Sequence, residues 1–223
     1  MALLWAYVVV SVANVVGQLA DLGWLTTVTK PLLMPLLAAW LVTTAPRSRL
    51  TRLATLALGL SWLGDLALMG DGETWFLLGI GGFALAQITY VVAFLPLARA
   101  GILRRRPAVV APYALVWLGL MVFLAGRVGE LFPVVAVYGA LLIAMAAVAL
   151  GVNAVVAIGA VLFVISDGVI ALTSLADLTV PASGAVVMST YTAAQGLIAW
   201  GVYRRAESPD VRAATSGDAS AQR

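Results

Sequence analysis

The stretch Leu58-Gly59-Leu60-Ser61-Trp62-Leu63-Gly64-Asp65-Leu66-Ala67-Leu68-Met69 carries an unpaired carboxylate inside an apolar run, and Ala160-Val161-Leu162-Phe163-Val164-Ile165-Ser166-Asp167-Gly168-Val169-Ile170-Ala171 repeats the arrangement. A charged side chain in hydrocarbon costs from about 2.5 to well over 10 kcal/mol, and such residues mark pathways or sites. The chain reads as a scaffold that brings these two acids together.

Everything around them belongs in a membrane. Apolar residues make up 63% of the chain and charged residues 10%, at a mean hydropathy of +1.05, whereas roughly a quarter of the residues in a soluble domain are charged. Divided into spans of about 20 residues, the chain leaves no room for a second folded domain and predicts one helical bundle. The formal charge of +3 sits in arginine clusters between apolar runs, as topology signals do, which argues against a nucleic acid partner. The sequence has no cysteine and no histidine, so disulfides, thiolate metal sites and the commonest general base are excluded. Acid-base chemistry falls to carboxylates, tyrosine or lysine, and no metal or other cofactor is expected.

The first run, about Leu3 to Ala20, lacks a basic leader and a cleavage site and reads as a retained span. Its Tyr7, Ser11, Asn14, Gln18 and Asp21 share one helical stripe, facing either a neighbouring helix or a cavity. Thr29-Lys30-Pro31 opens the second span, with Pro31 at a helix start and Pro35 in the first turn or at a kink. Lys30 then sits where the outer headgroup region begins, as a phosphate ligand or a snorkelling anchor. Further spans end near Met69, Ala98, Ala125, Leu150, Ser174 and Tyr203, giving about eight helices. Gly79-Ile80-Gly81-Gly82 lacks the strand-turn-helix setting of a nucleotide loop and reads as close helix packing. Residues 1–205 form a single transmembrane helical domain, and 206–223 read as a disordered cytoplasmic tail. Arg47, Arg49, Arg52, Arg99, Arg104, Arg105, Arg106, Arg204 and Arg205 fall on one side, against Lys30 and Arg127 on the other. Both termini are therefore expected to be cytoplasmic, in a multi-pass protein of a bacterial-type inner membrane.

The spans carrying Asp65 and Asp167 run the same way, and each is followed by a span with an alanine-glutamine pair, Ala86-Gln87 and Ala194-Gln195. The halves read as two parallel four-helix repeats, related by an axis along the membrane normal with a site between them. At 1.5 Å per residue Asp65 lies about 6 Å and Asp167 about 10 Å inside the outer ends of their spans, so a shared pocket is geometrically reasonable. Two carboxyls in such a pocket do not both ionise easily, and one then donates a proton while the other stays a base. That division suits acid-catalysed hydrolysis of an acetal-like or enol-ether bond. A proton-coupled carrier for a small amphiphile also wants membrane carboxylates, and a lipid-binding protein would use each Asp only to bond a neighbouring helix. Tyr90, Tyr138 and Tyr191 are candidates to donate hydrogen bonds in the pocket, or are ordinary packing tyrosines.

Thr29-Lys30-Pro31-Leu32-Leu33-Met34-Pro35, Leu63 to Met69, Phe83 to Phe94, Tyr138-Gly139, Gly159 to Asp167 and Thr190 to Ile198 together resemble the YhhN-type lysoplasmalogenase-like membrane proteins. The resemblance implies an eight-helix enzyme that cleaves the vinyl ether of lysoplasmalogens to a fatty aldehyde and a glycerophospho-base. Asp65 and Asp167 would be the catalytic acid and base. Around them, Lys30 near the phosphate and Asn14, Ser61, Gln87, Tyr90, Tyr138, Ser166, Tyr191 and Gln195 are the expected binding or supporting residues. The partners implied are a lysophospholipid substrate and membrane lipid. One departure is Gln87, which stands where the family pattern carries a histidine; a glutamine orients water but does not exchange a proton at neutral pH.

Overall fold

Long apolar runs in this chain become helices because a helix satisfies its own backbone polar groups where no water is available. The computed structural model describes residues 1–208. Its eight longer helices are α1 (Ala2–Leu19), α2 (Gly23–Thr44), α3 (Arg49–Ala67), α4 (Glu73–Ala100), α6 (Ala111–Leu124), α7 (Phe132–Ala149), α8 (Ala154–Ile170) and α9 (Ser183–Ala206), with a single turn, α5 (Ile102–Arg105), after α4. No strand occurs among the described residues. Six of the helices, all but α3 and α9 and counting short flanking turns, are long and apolar enough to cross a membrane, and the protein is an integral membrane protein. Polar residues set the other two apart, including Arg49, Arg52 and Asp65 in α3 and Thr192, Gln195 and Arg204 in α9. These two helices meet in the bundle: α3 packs on α2, α4 and α9, and α9 also packs on α1, α2 and α8.

Helix ends follow local chemistry. The Ser48 hydroxyl accepts from the Thr51 amide at 3.1 Å to cap α3, and the Asn153 side chain accepts from the Val156 amide at 3.0 Å to cap α8. Asn153 also donates to the Gly201 carbonyl at 2.8 Å, tying the start of α8 to the end of α9. Where α3 meets α4, a methyl group on Gly82 would lie 2.8 Å from the Gly64 amide nitrogen, so only glycine permits this approach. Gly79 and Gly82 thus serve helix packing, whereas Gly81, also read from sequence as a packing glycine, faces open space.

The opening of the second span is corrected. The second span begins at Gly23, and both Pro31 and Pro35 lie in its interior. Pro35 has no N–H, which frees the Pro31 carbonyl four residues back, and the Trp62 indole of α3 donates to that carbonyl at 2.9 Å. Lys30 consequently sits more than a turn inside α2 and not at its mouth. The span bearing Asp167 ends its regular α-helix at Ile170 and continues as a π-helical turn, Ala171–Leu175. At the other terminus α9 stays helical through Ala206; of the tail expected from 206 onward, residues 209–223 lie outside the described residues.

Candidate active site

Asp65 and Asp167 line one cavity, at the end of the bundle where α3 and α8 finish and α4, α7 and α9 begin. Lys30, Tyr138, Ser166 and Tyr191 share the lining, and Phe83, Ile80, Val187 and Met188 supply apolar wall. The cavity has about 90 Å³ of space open to water-sized molecules. At ~10–15 Å³ for each water, that is room for several.

Each carboxylate accepts a hydrogen bond from a tyrosine on another helix. The Tyr191 hydroxyl of α9 donates to Asp65 Oδ2 at 2.7 Å, and the Tyr138 hydroxyl of α7 donates to Asp167 Oδ2. Asp65 is 2% exposed, whereas Asp167 is half-buried. The Lys30 ammonium is near enough for its charge to act on Asp65. Tyr191 is held by its ring, which packs edge-on against Phe83 and Phe163 at centroid distances of 5.8 and 5.5 Å. Ser166, the neighbour of Asp167, donates to the Val187 carbonyl at 3.2 Å and joins α8 to α9.

Behind this lining lies a second layer, one helical turn deeper. Gln195, four residues after Tyr191, donates through Nε2 to the Ser61 hydroxyl at 3.0 Å and accepts from the Tyr90 hydroxyl at 2.9 Å. Ser61 is four residues before Asp65, so Tyr191 with Asp65 and Gln195 with Ser61 form two rungs between antiparallel α9 and α3. All three members of the deeper group are wholly buried, and with both ends of its amide engaged Gln195 has one fixed orientation. Gln87 is also wholly buried and lies toward Tyr138, but neither amide atom reaches hydrogen-bond geometry.

Of the eleven residues singled out from sequence, six line the cavity, Ser61, Tyr90, Gln87 and Gln195 support it from behind, and Asn14 stands apart. Asn14 donates to the Thr29 hydroxyl at 2.8 Å and fastens α1 to α2. The Tyr7 hydroxyl likewise donates to the Thr192 carbonyl at 2.6 Å and fastens α1 to α9. Tyr7 and Asn14 of the polar stripe of α1 thus join helices, Tyr7 and Ser11 line a groove between α1 and α9, and none of the stripe lines the aspartate cavity. Sequence reading missed the pairing of each tyrosine with its aspartate and the role of the π-helical turn. That turn carries Ala171 and Leu175 to the cavity wall just beyond Asp167, and such turns recur at functional sites. Among the described residues, no cluster of three or more acidic side chains forms a metal-binding group.

The comparisons with known proteins agree with one another. The chain is 34% identical over 180 residues to lysoplasmalogenase TMEM86B of Homo sapiens, covering 80% of this chain and 75% of that protein. It is 35% identical over 188 residues to proteins named lysoplasmalogenase from Mycobacterium bovis and Mycobacterium tuberculosis, covering 81% of this chain and 72% of each. No solved structure is significantly similar to it. Residues 25–202, from the first turn of α2 to the last turn of α9, match the model of the YhhN family, and the chain belongs to that family.

Proposed function

We propose that this lysoplasmalogenase-like hydrolase cleaves the vinyl ether bond of lysoplasmalogens, such as lysoplasmenylethanolamine or lysoplasmenylcholine, using Asp65 and Asp167 as general acid and base. The observation that carries the reading is the placement of both acids on one small cavity, each with a tyrosine donor and with Lys30 beside them. The similarity to lysoplasmalogenases over most of the chain supports the substrate class.

The chemistry needs little else. One aspartic acid gives its proton to the vinyl carbon one bond away from the ether-bearing carbon, and the double-bond electrons form the new C–H bond. The positive charge is then shared between the ether-bearing carbon and the ether oxygen. Water attacks that carbon and loses a proton to the second carboxylate. The hemiacetal breaks its C–O bond to the glycerol while its hydroxyl gives its proton to the carboxylate left by the acid and the glycerol oxygen takes the proton held by the second carboxyl group, so that fatty aldehyde and glycerophospho-base leave and both aspartates return to their starting states. Lys30 holds the phosphate, and Tyr138 and Tyr191 fix the rotation of the two carboxyl groups. Purified protein is expected to release aldehyde from lysoplasmenylethanolamine, and Asp65→Asn or Asp167→Asn is expected to lower the rate by about a hundredfold or more. Undiminished release by both variants removes the mechanism; uptake driven by a pH gradient with no chemical change to the lipid replaces the enzyme by a carrier.

The eight longer helices are read as membrane spans arranged as two parallel four-helix repeats, with both termini on the cytoplasmic side of a bacterial-type inner membrane. Support comes from the arginines, which gather at the bundle end opposite the cavity: Arg47, Arg104 and Arg105 in or beside connectors and Arg204 and Arg205 at the end of α9. The acids would then serve lipid of the outer leaflet.

A further inference from the structure

The aspartate cavity is the first of three that border one another through shared lining residues. Val135, Tyr138, Asp167 and Ala171 line it and also line a second cavity between α6, α7 and α8. Val116, Ile143 and Val164 of that second cavity line a third, farther along the same three helices and ending at Pro112 and Val161. The second and third have about 50 and 270 Å³ of water-sized space. From Met121 to Pro112 the series follows α6 for ~14 Å, leading away from the helix ends at which the acids lie.

Its lining changes character at the acids. Beyond Tyr138 and Asp167 the walls are aliphatic except for Trp117 and Tyr113, and the Trp117 indole is engaged by the Ala136 carbonyl at 3.1 Å. Gly168 borders the second cavity, and a methyl group placed there would meet nothing within 4 Å. The series opens sideways, since Val116 and Ile165 are about half exposed on the face turned to lipid. A groove between α1 and α9 is larger than any of the three, at about 430 Å³, but shares no lining residue with the aspartate cavity.

We propose that the seam between α6, α7 and α8 is the tail subsite, which holds the single hydrocarbon chain of the substrate while its phosphate end lies at Lys30. This rests on the lysolipid reading above and adds the direction in which the molecule lies. A lipid in a leaflet has its head at the membrane surface and its tail toward the middle, which is how the acid cavity and the seam are placed along the helices. The bond joining head to tail then falls at the junction marked by Tyr138 and Asp167. Lipid is as apolar as the seam, so the tail gains little by entering, and the seam acts by shape, setting the register of the reacting carbons against the acids.

Two experiments test it. A lysophosphatidylethanolamine with a diazirine in its tail, photolysed with the wild-type protein in nanodiscs, is expected to label α6, α7 and α8 around Val116, Ile143 and Val164. Labelling of the α1–α9 groove, or spread evenly over the outer surface, overturns the proposal. In the second, aldehyde release is compared across lysoplasmenylethanolamines of short and long tail for the wild type, Gly168→Leu and Val164→Trp. Each variant is expected to depress long-tail turnover about tenfold or more relative to short-tail turnover. A tail-length profile unchanged in both overturns it. Labelling of the seam without any aldehyde release leaves the tail subsite standing and removes the vinyl ether reading, so the two failures are distinct.

Discussion

A carboxyl group in an apolar cavity works only if its orientation is fixed, and here a single phenol fixes each one. Tyr191→Phe removes the donor to Asp65 and Tyr138→Phe the donor to Asp167 while leaving the rings in place. A hydrogen bond to a charged group contributes about 1.5–3 kcal/mol. If it is held in the transition state, each variant is expected to turn over about 10- to 100-fold more slowly with little change in KM, as read from steady-state aldehyde release. The site of protonation has its own signature. Because the acid delivers an exchangeable proton to carbon, hydrolysis in D2O is expected to place one deuterium on the aldehyde carbon next to the carbonyl, and mass spectrometry of the product reads it directly. Gln195→Leu should act differently, since it strands the buried Tyr90 hydroxyl and the Ser61 hydroxyl at a cost of about 1–3 kcal/mol each. That loss is expected in thermal stability. The two acids were legible in the sequence because a lone charge in an apolar run is a signal that one residue carries by itself. The pairing of Tyr191 with Asp65 was not, because it depends on the rotation of α9 against α3, which the phenylalanines beside Tyr191 settle.

Pro35 stands inside α2 because the bond it removes is replaced from another helix. Local rules placed Pro31 at a helix start, and they had no view of Trp62, which reaches the freed carbonyl from α3. The substitution Trp62→Phe leaves that carbonyl without its donor, and Pro35→Ala returns an N–H four residues on. The two changes are therefore expected to couple: the double variant should be more stable than the sum of the single effects by about 0.5–3 kcal/mol in a double-mutant cycle of thermal unfolding in detergent. The α3–α4 contact offers a simpler contrast. Gly82→Ala drives a methyl group into the Gly64 backbone and is expected to cost about 1–3 kcal/mol. Gly81→Ala, one position away in open space, is expected to be neutral or slightly stabilising. Sequence read both glycines as packing elements, which holds for Gly82 and fails for Gly81, since the two differ only in their direction around the helix.

Across the whole molecule, polarity is sorted along the helix axes: the acids and Lys30 toward one end, most of the arginines at the other, and apolar seams between. The charges were readable one by one from the sequence, and so was the convergence of the two acids, because same-direction spans with acids at similar depth bring their charges to one level. The apolar seam leading from Asp167 was not, because a valine facing a cavity, a lipid or a core is written identically. The sorting makes topology decisive for function. If the arginine end is cytoplasmic, the acid cavity meets only outer-leaflet lipid, and an enzyme in the reverse orientation would meet the other pool. The absence of native cysteine makes this directly measurable. Asp71→Cys, in the connector between α3 and α4 at the cavity end, and Arg105→Cys, at the opposite end, each give a chain with one thiol. In intact cells a membrane-impermeant maleimide is expected to label Asp71→Cys and to leave Arg105→Cys unlabelled until the membrane is permeabilised. Labelling of Arg105→Cys alone in intact cells would reverse the orientation and assign the cavity to inner-leaflet lysolipids, with the acid-base chemistry at Asp65 and Asp167 unaffected.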